Sequence, residues 1–124
     1  FFSTELIACK MIGSNFEDVD LSLIDITGGI WTYADLRHQN FSGKTFVDVD
    51  FSGADLTECN FSKATLQNCN LQQARVINMN VKQADLRGCN LNRTDIHLML
   101  FKNTKLDMEQ AILLAHAHGG VYTP

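Results

Sequence analysis

The chain has 124 residues, 45% of them hydrophobic and 19% charged, with a formal net charge of −4. That length fits one domain with a substantial core. The mildly acidic balance argues against direct binding of nucleic acid, which calls for a basic stripe. No apolar run approaches the roughly 18 residues of a membrane span, and no secretory signal is visible. Cytoplasmic residence is therefore expected, with a secreted effector as the alternative. The first residue is Phe1 rather than Met, as expected of a domain excised from a longer chain.

From Thr4 onward the chain divides into 21 consecutive five-residue units with no insertion, from TELIA to TKLDM. The third residue of every unit is apolar, from Leu6 through Trp31, Phe61 and Leu86 to Leu106. The first is small in 16 units, and the second is Asp or Asn in 13. A period of five is neither helical nor strand-like, so the chain must turn once per unit, and Asp, Asn and Gly suit turns. Units that cannot bury one apolar residue alone gain a continuous core by stacking.

The units ADLRH, ADLTE, CNFSK, ATLQN, CNLQQ and ADLRG resemble the pentapeptide-repeat family, whose pattern is small, Asp or Asn, Leu or Phe, then two variable residues. The resemblance runs from Thr4 to Met108 and implies an all-β fold, a right-handed quadrilateral parallel β-helix with four units per coil. About five coils, spaced by about 4.8 Å, make a rod of roughly 25 Å. Residues 20 apart then stack, as in Leu21, Phe41, Phe61, Val81 and Phe101, or Met11, Trp31, Phe51, Leu71 and Leu91.

All four cysteines fall on the small inward position. Cys69 and Cys89 become neighbours, with Cys9 further along the same column. They read as reduced, buried, small hydrophobes, a Cys69–Cys89 disulfide being the alternative. Gln39 and Lys44 break the rule at that position. Lys44 would stack between Ile24 and Ala64 without an obvious charge partner, so a backbone shift or bulge is expected over residues 38–45.

Residues 1–108 are assigned to the β-helix and 109–124 to a capping helix and tail. Asp107 reads as an N-cap with Gln110 completing a capping box, Met108 to His118 as helix, and Gly119-Gly120 as its stop. Met108, Ala111, Ile112 and Ala115 share one helix face. Leu98, Leu100, Ile112, Leu113 and Leu114 form a candidate patch, covered by the helix itself or by a second copy. In family members that inhibit type II topoisomerases a similar C-terminal segment makes a dimer, so a homodimer through this helix is one expectation. Phe1-Phe2-Ser3 offers no cap at the other end, which fits a chain continuing upstream.

Signals for catalysis, cofactors or metals are lacking. His38, His97, His116 and His118 do not have metal-ligand spacing, and no nucleophile elbow, phosphate loop or CxxC occurs. The face centred on Phe16, Leu36, Leu56, Val76 and Ile96 carries a candidate acidic stripe of Glu17, Asp18, Asp35, Asp55, Glu58 and Asp95, interrupted by Arg37 and Arg75. Outward Ile7, Ile12, Leu23, Ile30 and Tyr33 suggest an apolar contact surface, represented best by Leu23, Ile30 and Tyr33. The expected function is a non-catalytic protein–protein interaction or structural module, such as the docking region of a larger bacterial, effector-like protein. The alternative implied by the resemblance is a DNA-mimicking inhibitor of DNA gyrase or topoisomerase IV of the quinolone-resistance type, although this chain is short and lacks an inserted loop.

Overall fold

A computed structural model describes residues 4–16, 19–121 and 123–124. The chain winds into the quadrilateral β-helix with a constant offset of 20 residues. On the first face, β1 (Thr4–Ile7), β2 (Ile24–Thr27), β3 (Thr45–Val47) and β4 (Thr65–Gln67) form one parallel sheet in chain order. Thr4 pairs with Ile24, Thr27 with Val47 and Thr45 with Thr65. Single bridges continue this ladder on the other faces, for instance Ile30 to Asp50 on the second, Asp35 to Asp55 on the third and Asn60 to Asn80 on the fourth.

The corners explain the five-residue period. The fifth residue of nearly every described unit has positive φ whatever its identity, including His38 (65°), Lys63 (60°) and Gln83 (60°). At Asp20, Asp35, Asn40, Asp50, Asp55, Asn60, Asn70, Asn80, Asp85 and Asn90, side-chain Oδ1 accepts from the backbone N–H two residues on. The repeat's acidic and amide residues thus hold the turn in shape.

Every central apolar residue from Leu21 to Ile96 is buried, whereas Leu6, Met11 and Phe16 of the first coil are half-buried. Phe41, Phe46, Phe51 and Phe61 form an aromatic block in mid-rod, with Phe41 and Phe61 centroids 5.2 Å apart. Gly29 stands where the backbone of the preceding coil approaches closely. A Cβ on Gly29 would lie 2.5 Å from the Cys9 carbonyl oxygen. The Trp31 indole Nε1 is buried and makes no hydrogen bond.

No residue is inserted over residues 38–45, since the 20-residue register to the following coil runs through Asn40–Asn60 and Thr45–Thr65; the irregularity lies in the pairing with the preceding coil. Two side chains accommodate it. The Gln39 carboxamide sits between the first two coils, where Oε1 accepts from Leu21 N–H at 3.0 Å and Nε2 donates to the Phe16 and Val19 carbonyls. Deeper in the rod the equivalent positions use backbone, as in Asn60 N–H to Gln39 oxygen and Phe41 N–H to Asn60 oxygen. One side-chain amide therefore replaces a backbone peptide. Lys44 also finds a mate, its Nζ lying 3.6 Å from Asp25 Oδ1. The strand pair β2–β3 is reduced to Thr27 with Val47 beside it.

The cysteines are free thiols. Cys59, Cys69 and Cys89 point their sulfurs at the Leu36, Phe46 and Leu66 carbonyls of the preceding coil. Burial pushes the Cys59 thiol up to about 12. The hydrogen bond to Cys89, with burial, pushes Cys69 up as well. Such thiols are poor nucleophiles.

Two substitutions test this reading. Gln39→Ala should lower stability by about 2–4 kcal/mol in urea unfolding, because one buried and two part-buried backbone groups lose their partner. Gln83→Gly at an exposed left-handed corner should raise it by about 0.5–1 kcal/mol by relieving the Cβ clash.

Candidate functional site

The third face holds the acidic candidates, and the repeat places Asp35 and Asp55 on adjacent coils. Their charge is compensated locally. The Arg37 guanidinium forks onto Asp35 (Nε–Oδ1 2.9 Å, Nη2–Oδ2 2.8 Å) and lies 3.9 Å from Asp55, which Arg75 approaches at 4.0 Å. The Arg37 hydrogen bond holds the Asp35 carboxyl below the usual carboxylate range. Glu58 pairs with His38 at 3.0 Å. Asp95 stands apart at the start of a single 3-10 turn, Ile96–Leu98. Glu17 and Asp18 lie outside the described residues. Of the stripe, Asp35, Asp55 and Glu58 come together, the two aspartates beside arginines and Glu58 beside the His38 imidazole.

The apolar candidates separate. Leu23 and Tyr33 are 61% and 69% exposed, and Ile30 is half-buried. Leu23 occupies the corner between the fourth and first faces, and Tyr33 the diagonally opposite corner between the second and third. Tyr33 instead shares the second face with Ile12 and Ile30. Its ring lies over the next coil, where a Cβ on Gly53 would fall 2.6 Å from Tyr33 Cε1.

At the C-terminal end α1 spans Met108–Ala117, with both halves of the Asp107–Gln110 capping box formed. The helix leaves the first face and packs on the 3-10 turn of the third, so it crosses the end of the rod. Gln110 is buried, and its Nε2 donates to the Leu86 and Cys89 carbonyls, much as Gln39 does at Phe16 and Val19. Leu113 and Leu114 pack on the core. Met108, Ala111, Ile112 and Ala115 therefore face away, lining a shallow groove with Gly120, Val121 and Thr123. Leu98 is half-buried and Leu100 is 40% exposed on the fourth face. A cavity of about 220 Å³ opens beside the helix start, bordered by Cys89, Asn90, Gln110 and Leu113. Among the described residues no three His, Cys, Asp or Glu side chains are grouped to hold a metal, and no helix is long and apolar enough to cross a membrane.

The coil geometry and the Asx-held corners agree with the comparison to known proteins, in which the pentapeptide repeat region matches residues 39–111. The chain belongs to the pentapeptide-repeat family. No curated protein matches it. Among solved structures, a pentapeptide repeat protein from the Arabidopsis thaliana thylakoid lumen is similar at 23% identity, with 92% of this chain and 79% of that chain covered and a TM-score of 0.54. A pentapeptide repeat protein from the cyanobacterium Cyanothece aligns at 22% identity over 84% and 88%, TM-score 0.30. QnrB1, a plasmid-mediated fluoroquinolone resistance protein, aligns in a trypsin-treated form at 18% identity over 98% of both chains, TM-score 0.34. The first of these shares the repeat fold.

Sorting charges by face alone hides a second order along the rod. Residues 61–106 carry Lys63, Arg75, Lys82, Arg87, Arg93, Lys102 and Lys105 against Asp85 and Asp95, whereas residues 1–60 hold ten acidic residues against Lys10, Arg37 and Lys44. Sorting by coil as well as by face would have found it.

The pH dependence of stability follows from these partners. Hydrogen bonds from Arg37, Arg87 and the Gln110 backbone depress the Asp35, Asp85 and Asp107 carboxyls. Depressed carboxylates stabilise the fold above their unfolded value, near 3.9, and the contribution is lost as pH falls through the lower folded value. Urea midpoints should be flat between about pH 5 and 7 and fall below about pH 4.

Proposed function

We propose that the domain is a non-catalytic protein-interaction module whose main contact surface is the second face near the N-terminal end. The observation that carries this reading is the pair Ile12 and Tyr33, 59% and 69% exposed on adjacent coils. Exposed apolar groups on a rigid scaffold bind at low entropic cost, and an aromatic ring with a polar tip suits a protein contact. The outward face of α1, with Ile112 and Met108, offers a further apolar contact for a partner or a second copy, while Leu113 and Leu114 are occupied by the rod's own core. The expected test places a photo-cross-linking residue at position 33 and, as control, at position 93 on the same corner of the last coil. A discrete adduct in the native host from position 33 alone supports the reading; equal labelling from both contradicts it.

The stacked Asp35 and Asp55 favour a second reading, a DNA-mimicking inhibitor of DNA gyrase or topoisomerase IV. Arg37 and Arg75 oppose it, because a phosphate mimic needs uncompensated charge. The domain should leave gyrase supercoiling unaffected at micromolar concentration. Inhibition that disappears in the Asp35→Asn/Asp55→Asn/Asp95→Asn variant would establish the mimic instead.

A further inference from the structure

Of the four cysteines, only Cys69 and Cys89 are neighbours across the coil ladder. They share one inward column. The register beside them is fixed by the bridge of Asn70 with Asn90, and by the Asn90 N–H donating to the Cys69 carbonyl at 3.0 Å. Cys9 lies in the same column but is separated from Cys69 by Gly29 and Val49, and Cys59 stands in the column of Gln39 and Met79. Paired backbones lie about 4.8 Å apart, inside the roughly 4.4–6.8 Å that separates the Cα atoms of bridged cysteines. The Cys89 sulfur already tilts toward the coil of Cys69, 3.2 Å from the Leu66 carbonyl oxygen. The two thiols are hydrogen-bonded to each other, Cys69 donating. The pair is buried but not sealed. Cys89 borders the cavity of about 220 Å³ beside the start of α1, together with Asn90, Asp107 and Gln110. A water occupies about 30 Å³ of liquid, so the cavity has room for a small polar oxidant at Cys89. Cys69 lies one coil further in.

From this arrangement we propose that Cys69 and Cys89 form a reversible oxidation site, which closes to a disulfide between the last two coils when hydrogen peroxide enters the cavity. Cys89, held below the ordinary thiol range by the hydrogen bond from Cys69, is the attacking sulfur. Its electron pair takes one peroxide oxygen as the O–O bond breaks. The released hydroxide takes the thiol proton and leaves as water, and Cys89 becomes a sulfenic acid. The Cys69 sulfur then attacks the Cys89 sulfur. The S–S bond forms as the S–O bond breaks, and the departing hydroxide removes the Cys69 proton as a second water. Both thiols are oxidised and one peroxide is reduced. The product is neutral, so the apolar core accepts it, and the ladder keeps its register because only side chains rotate. Gln110 Nε2 donates to the Cys89 carbonyl at 2.9 Å. The cross-link therefore ties the coil that carries α1 to the coil beneath it, and oxidation fastens the capped end of the rod.

The test uses the whole chain with Cys9→Ala, which removes the one thiol that is not buried. The protein is treated with hydrogen peroxide, alkylated in denaturant and analysed by peptide mass spectrometry. The mass should fall by two hydrogens, with Cys59 alkylated and one linked peptide pair holding Cys69 and Cys89. That pair should form at least about tenfold faster than Cys59 is oxidised. Dithiothreitol should return all the thiols to alkylation. The urea midpoint should rise on oxidation and fall back on reduction. In Cys69→Ala, which circular dichroism should show to be folded, the reaction should stop at a Cys89 sulfenic acid that dimedone traps, with no rise in the midpoint. Thiols that all stay free in peroxide would overturn the proposal. So would a cross-link between chains rather than within one, oxidation of Cys59 ahead of the pair, or the same rise in midpoint in Cys69→Ala.

Discussion

Everything in this molecule rests on the parallel hydrogen-bond ladder between coils, held at an offset of 20 residues. It fixes which side chains enter the core, which stack outside, and how far apart they stand. The ladder needs a turn every five residues, and that turn requires a left-handed corner braced by Asp or Asn. Such corners cost energy at non-glycine residues. They persist at His38, Lys63 and Gln83 because both neighbouring coils fix the backbone on either side. The ladder is also the reason that outward residues form surfaces at all. It turns sequence positions 20 apart into columns whose charges add or cancel.

The two glutamines show how the ladder tolerates imperfection. Gln39 spans a place where backbone pairing between the first two coils gives way, and Gln110 satisfies carbonyls at the end of the rod. In both cases a carboxamide, which donates and accepts like a peptide, bonds to a central residue's carbonyl and to the carbonyl three residues later. One is an internal patch and the other part of a cap. The chemistry is shared, which explains why a polar residue can occupy a buried position without loss of register.

Much of this was readable from residues. The period, the columns, the role of Asp and Asn, and the Asp107–Gln110 capping box all follow from patterns repeated or sharply spaced in sequence. Other features were not local. The partner of Lys44 is not legible in its own column, because Asp25 is an outward residue of the neighbouring coil. Gln39 looked disruptive because its bonds reach residues 18 to 23 positions away. The orientation of α1 was hidden because apolar residues surround it. Buried Gln110 decides the matter, tying one side of the helix to the last coil and turning Ile112 outward. Leu23 and Tyr33 were grouped by proximity in sequence, although ten residues are half a coil and place them on opposite corners.

The coil ladder and the surfaces it builds are tested most directly by native-state hydrogen exchange of the backbone amides followed by NMR. Slow exchange is expected for Leu36, Phe51, Phe61 and Leu71, which donate to the next coil, and for Leu21, whose only recorded acceptor is the Gln39 side chain. Protection of Leu21 should vanish in Gln39→Ala while that of Phe61 and Leu71 remains. Rapid exchange at Phe61 and Leu71 in the unaltered protein, or protection at Leu21 that survives loss of the carboxamide, would contradict the ladder described here.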